Sequence, residues 1–128
     1  MTTDPAPELA LAKVRARALA LPAAAERLSH GSPGFHIEGG RFFAYFWHDH
    51  HGDGETVAIV KTSGADELAQ LIEAYPDCYF KPPYLGPSGW IAMRLDRPDT
   101  DWEQVGDRIV ASWEWVAPQR LLAAGGRR

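Results

Sequence analysis

The 128-residue chain has one cysteine, Cys78, so it can close no internal disulfide and complete no cysteine-based zinc site. Packing alone is expected to hold the framework, which suits a reducing cytoplasm. No stretch approaches the roughly 20 apolar residues that a membrane span needs. The opening Met1-Thr2-Thr3-Asp4-Pro5 also lacks the charged-then-apolar pattern of a signal peptide. Neither membrane insertion nor export is expected. Excess basic charge is missing too: 17 acidic residues against 13 basic ones leave a net charge of -4. That balance excludes the broad positive surface of sequence-independent nucleic-acid binders, so any DNA contact must come from a local patch.

What is present is globular composition, 45% hydrophobic and 23% charged, at a length suited to one domain spanning residues 1–128, with residues 1–6 and 123–128 expected to fray. Leu11, Val14, Ala18 and Leu21 recur at steps of three and four, predicting a helix over 7–21. After the Pro22 break, Ala23 to Leu28 read as one or two further helical turns. Residues 29–34 read as a loop. Phe35-His36-Ile37 and the run from Arg41 to Trp47 then form two strands about a Gly39-Gly40 turn, and the β-branched run from Thr56 to Lys61 completes a meander. Ser63 is placed as the cap of a second helix carrying Leu68, Leu71, Ile72 and Tyr75 on one stripe.

Further on, Tyr79-Phe80-Lys81 reads as an edge strand within a proline-rich stretch. From 89 to 95 the chain alternates, with Ile91, Met93 and Leu95 facing one way and Trp90, Ala92 and Arg94 the other. A last helix opens with Thr100 and Glu103 at capping-box spacing and carries Trp102, Val105, Ile109, Trp113 and Val116 on one stripe. Trp102, Trp113 and Trp47 are assigned to the core. The predicted order is α-β-β-β-α-β-β-α. Runs of strands rather than strict alternation indicate the α+β class, a mainly antiparallel sheet with helices packed on one face.

Few motifs carry chemistry. His48-Asp49-His50-His51 is the densest group of potential metal ligands, yet nearby chain adds no third ligand at a characteristic spacing, and a polar hairpin loop explains it. Cys78 has no neighbouring histidine, no serine lies in a G-x-S-x-G context, and neither glycine-bearing loop matches a phosphate cradle. Catalytic residues, metal and cofactor are therefore all expected to be absent, and the chain reads as a non-enzyme. The informative feature is distributed. If helices cover the face of Ile91 and Met93, Trp90 and Arg94 stand on the opposite face, where Arg41, Tyr45 and Lys61 can join them. Cations and rings on a bare sheet suit phosphate contact and base stacking. The alternative places Trp90 under the proline-rich loop or the tail, with Arg94 paired to Asp96 or Glu38. Trp115, off the stripe of the last helix, offers a second contact surface or a homodimer seam.

The motifs also follow a familiar order. Ser29-His30-Gly31-Ser32-Pro33-Gly34-Phe35 and Gly39-Gly40-Arg41-Phe42-Phe43-Ala44 resemble the opening signature of the MmcQ/YjbR-like family. Val60-Lys61, Tyr75-Pro76, Pro83-Tyr84-Leu85-Gly86 with Gly89-Trp90-Ile91, Trp102, and Ser112-Trp113 with Val116-Ala117-Pro118 are similar to its later blocks. The resemblance covers nearly the whole chain. It implies an α+β domain of the type shared with secretion chaperones and frataxin-like proteins, and a small cytoplasmic DNA-binding role through a double-wing arrangement. Lys61, Trp90 and Arg94 match the family pattern, with Arg41 where lysine is frequent. Asp49, Asp53 and Glu55 depart from it by loading the hairpin that would act as a wing. The alternative role is a module binding a protein or a small acidic ligand on the same face, as a monomer or weak homodimer with no membrane partner.

Overall fold

A four-stranded meander and two returning strands build the sheet. The computed structural model describes residues 7–49, 52, 54–83 and 85–123. The elements run α1 (Pro7–Ala18), β1 (Ala24–Ser29), β2 (Ser32–Ile37), β3 (Phe42–His48), β4 (Thr56–Lys61), α2 (Ala65–Ala74), β5 (Tyr79–Phe80), β6 (Trp90–Arg94), α3 (Trp102–Val116) and the short α4 (Gln119–Leu122). All six strands form one antiparallel sheet in the order β1-β2-β3-β4-β6-β5. This is the α+β architecture expected, with one strand more.

The added strand corrects the sequence reading of Ala23 to Leu28 as helix. The first helix stops at Ala18 rather than Leu21, and Ala23, at φ 59, turns the chain into β1. Alanine-rich propensity is overridden by pairing: Ala24 to Ser29 lie opposite Ile37 to Ser32, and Glu26 reaches back to Arg15 at 2.7 Å. The predicted loop over 29–34 shrinks to His30-Gly31. Both residues have positive φ, at 52 and 83, as a two-residue hairpin turn needs, and glycine takes the second without strain. Pro33 is accommodated because it lies outside the stretch of β2 that pairs with β3.

Two helix caps also differ from expectation. Gly64, not Ser63, is the N-cap of α2, and the Ser63 amide donates instead to Glu67 Oε1 at 2.8 Å. At α3 the cap is Asp101, which accepts from the Glu103 and Gln104 amides, while the Thr100 hydroxyl donates to the Arg97 carbonyl. Only at α3 does the cap's side chain reach the exposed amides; the α2 cap, Gly64, has none to offer.

β2 and β3 do not stay in simple register. Phe35 lies opposite Ala44 but His36 opposite Phe42, so Phe43 is the extra residue of a β-bulge. Ser112 of α3, fully buried, repairs the ladder there: its hydroxyl donates to the Phe43 carbonyl and accepts from the Lys61 amide. One helix side chain thereby locks the register of two central strands.

The main core lies between this sheet and the helices. Phe35, Ile37, Phe43, Phe46, Val60, Ile91, Met93 and Leu95 meet Val14 and Ala18 of α1, Leu68 of α2 and Val105, Ile109 and Trp113 of α3. Trp113 is completely buried, and its indole N–H donates to the Pro22 carbonyl at 3.1 Å, which pins the chain between α1 and β1. Trp102 packs against this core as expected. Trp47 does not: strand alternation turns it to the other face, against Val57, Ile59 and Ala92.

Candidate functional site: the open sheet face

A line of residues crosses the sheet in register on the side away from the helices: Arg27, Gly34, Tyr45, Ile59, Ala92 and Phe80. Ile59 and Ala92, with Val57, form an inaccessible floor. Tyr45, Trp47, Phe80, Leu85 and Trp90 pack over that floor and stay half-buried. Among the described residues no α-helix packs over them. Their exposed ring surface is what remains when a small aliphatic layer is roofed by its own aromatics and the loop bearing Leu85.

The rings form a continuous row. His36 meets Phe42 at 5.4 Å between centroids, Phe42 stacks on Tyr45 at 5.1 Å and 26°, and Tyr45 leans on Trp90 at 5.3 Å. The bulge creates this row by bringing Phe42 onto the same face as Tyr45, three positions away. Gly34 makes space for it: a β-carbon there would meet the Phe42 ring at 2.7 Å. Burial pushes the Tyr45 phenol above its ordinary pKa, against a smaller opposing pull from Arg27.

Cations stand over three rings. Arg27 lies 4.9 Å above Phe42, Lys61 5.5 Å from Trp90, and Arg94 4.5 Å above Phe80. Lys61 and Trp90 face each other across β4 and β6, a pairing held by buried Thr62, whose hydroxyl donates to the Gly89 carbonyl at 2.7 Å. The Lys61 ammonium also donates to the Ser88 carbonyl at 3.0 Å. Arg94 is more constrained. It pairs with Glu55 at 3.4 Å, rather than with Asp96 or Glu38, and its guanidinium approaches the Pro76 and Asp77 carbonyls. Asp96 pairs with Arg97 instead.

The structure thus gathers four predicted site residues, Tyr45, Lys61, Trp90 and Arg94, on one face. Arg41 is not among them. It precedes β3, and with Arg120, Val116 and Pro118 it lines a hollow of about 280 Å³. Strict alternation back from Tyr45 would have put Arg41 on the open face, and the extra residue Phe43 reverses that parity. Sequence reasoning missed Arg27, because its segment reads as helix, and Phe42, because the bulge leaves no local signal. Phe80 was accessible, since its strand was recognised.

Elsewhere, a groove of about 730 Å³ lies between the end of α2 and the start of α3, lined by Tyr75, Cys78, Arg94, Arg97, Asp99 and Asp101 among others. Burial pushes the Cys78 thiol up, the opposite of what a nucleophilic thiolate requires. His48 Nδ1 lies 2.8 Å from the Thr56 hydroxyl, while His50 and His51 fall outside the described residues. Among the described residues no group of three or more His, Cys, Asp or Glu side chains could hold a metal ion. Nor is any described helix long and apolar enough to cross a membrane.

Comparison with known proteins agrees with this fold. A Deinococcus radiodurans protein with a DUF419 domain, known from its crystal structure, is similar over 80% of this chain and 75% of its own, with a TM-score of 0.64 and 18% identity. At that identity the likeness establishes the fold. No curated protein matches the sequence. The sequence itself matches YjbR over residues 19–115, from the end of α1 almost to the end of α3, so the chain belongs to the YjbR family.

Proposed function

We propose that this protein binds DNA through its open sheet face, a binding rather than a catalytic role, exercised in the cytoplasm. The supporting observation is the uncovered row Phe42, Tyr45 and Trp90, with Arg27 above one end and Lys61 beside the other. Rings supply stacking surface, and the two cations supply phosphate contact. Arg94, held by Glu55, contributes mainly to the order of the face.

Fluorescence anisotropy with labelled DNA tests the proposal. Two phosphate contacts give a log-log salt slope of about -1.4 to -1.8, or roughly tenfold weaker binding at 200 than at 50 mM salt. Trp90→Ala weakens binding while the domain stays folded. Absence of any DNA interaction at low salt would refute the reading. A second reading, a module for an acidic ligand or a protein segment, is favoured by the occupation of Lys61 and Arg94 by the Ser88 carbonyl and Glu55. It predicts a Trp90-dependent partner that is not a nucleic acid.

A further inference from the structure

We infer that the ligand of the open face is single-stranded nucleic acid, two or three bases of which lie on Phe42, Tyr45 and Trp90, and that duplex is disfavoured. This rests on the nucleic-acid reading and specifies its substrate. The first reason is shape. Six strands about 4.8 Å apart make a surface roughly 24 Å across, whereas the major groove, about 12 Å wide, admits a helix or a two-stranded ribbon. Trp90 sits on β6, beyond the stretch that the short β5 pairs with, but Phe42 and Tyr45 sit on β3 near the middle of that surface and cannot reach bases stacked within a helix. They can reach only bases that have left the stack.

Charge gives the second reason. Duplex carries about one phosphate per 1.7 Å of axis, twice the density of one strand. This face offers Arg27 and Lys61, while Glu55 and Asp49 sit where β3 and β4 are joined. Two cations against such a rail are weak, since the third on this face, Arg94, is already paired with Glu55. A single strand instead draws its affinity from stacking, and sheet platforms that splay bases onto aromatics hold two or three of them. The guanidinium of Arg27 over Phe42 adds a further planar group to the row, one that can itself stack on a base.

The test compares a labelled single strand of about 16 nucleotides, mixed in sequence and unable to self-pair, with the duplex of the same length. The single strand is expected to bind at least about tenfold more tightly. Tyr45→Ala should weaken it about fivefold or more, Trp90→Phe should stay near wild type, and exposed Arg27→Gln should reduce the salt slope by about 0.7. Thermal melting checks that each variant folds, and the wild-type preference needs no variant at all. Equal or tighter duplex binding overturns this inference while leaving nucleic-acid binding intact. Binding of neither overturns both, and single-strand binding indifferent to Tyr45→Ala, Trp90→Ala and Arg27→Gln places the ligand elsewhere and overturns the inference.

Discussion

On its helix side the sheet buries Phe35, Phe43, Ile91 and Met93 completely, whereas the buried hydrophobic cluster described on the opposite side is Val57, Ile59 and Ala92, under half-exposed rings. Both faces obey the same alternation of strand side chains. What separates them is the roof: α1, α2 and α3 seal one side, while the other is covered by aromatics and the loop that includes Leu85. The helix side therefore holds most of the stability, and the open side keeps apolar surface available for a partner.

The same substitution on the two sides gives the largest expected contrast. Trp113→Ala removes a fully buried indole and its bond to Pro22, and should destabilise by about 3–5 kcal/mol. Trp90→Ala removes a half-buried ring and should cost about 1–2 kcal/mol. Urea denaturation measures both, and equal losses would erase the distinction between the faces.

Next in size is Ser112→Ala, which strands the Phe43 carbonyl and the Lys61 amide without changing either face directly. A total loss of about 1–3 kcal/mol is expected, accompanied by faster amide exchange at Lys61. Gly34→Ala acts on the open face alone. Its β-carbon displaces the Phe42 ring, for about 1–2 kcal/mol and a changed near-ultraviolet dichroism, while the helix-side core should hold its amide protection.

The smallest effect concerns acid. The Arg15 hydrogen bond holds the Glu26 carboxyl below its ordinary pKa; burial pushes Glu67 upward but is outweighed by the Ser63 amide and Arg108. Carboxyls with depressed folded pKa values stabilise fully above their unfolded pKa of about 4.3 and lose that contribution as pH falls through the folded value. Glu67→Gln should flatten the decline in stability below about pH 4, by less than about 1 kcal/mol for so accessible a pair. Both pairs lie on the helix side, so Glu67→Gln should leave the ring row's mutual contacts unchanged, as read by Tyr45 and Trp90 chemical shifts.

Much of this was legible in the residues. The stripe of Val105, Ile109 and Trp113 and the alternation of Ile91, Met93 and Leu95 identify the sealed side without ambiguity, since each period is strong and local. Trp90 and Arg94 follow from the same parity. The segment from Ala24 to Ser29 was illegible because its alanines favour helix and only β2 makes it a strand. Trp47 and Arg41 were misplaced for a related reason. Trp47 shares the parity of Tyr45, two residues before it, which outweighs the tendency of an indole to be buried; for Arg41, one inserted residue at Phe43 shifts everything before it by a half-period.

Spacing and composition alone determined an antiparallel α+β domain with helices on one side, because periods of 3.6 and 2 are written into consecutive residues. Tertiary structure alone decided which rings and cations meet. That outcome depends on a bulge stabilised by Ser112, a side chain 69 positions from the carbonyl it satisfies, and on Gly34 leaving space for Phe42. Contacts so distant in sequence, and a parity change made by one residue, leave no periodic trace along the chain.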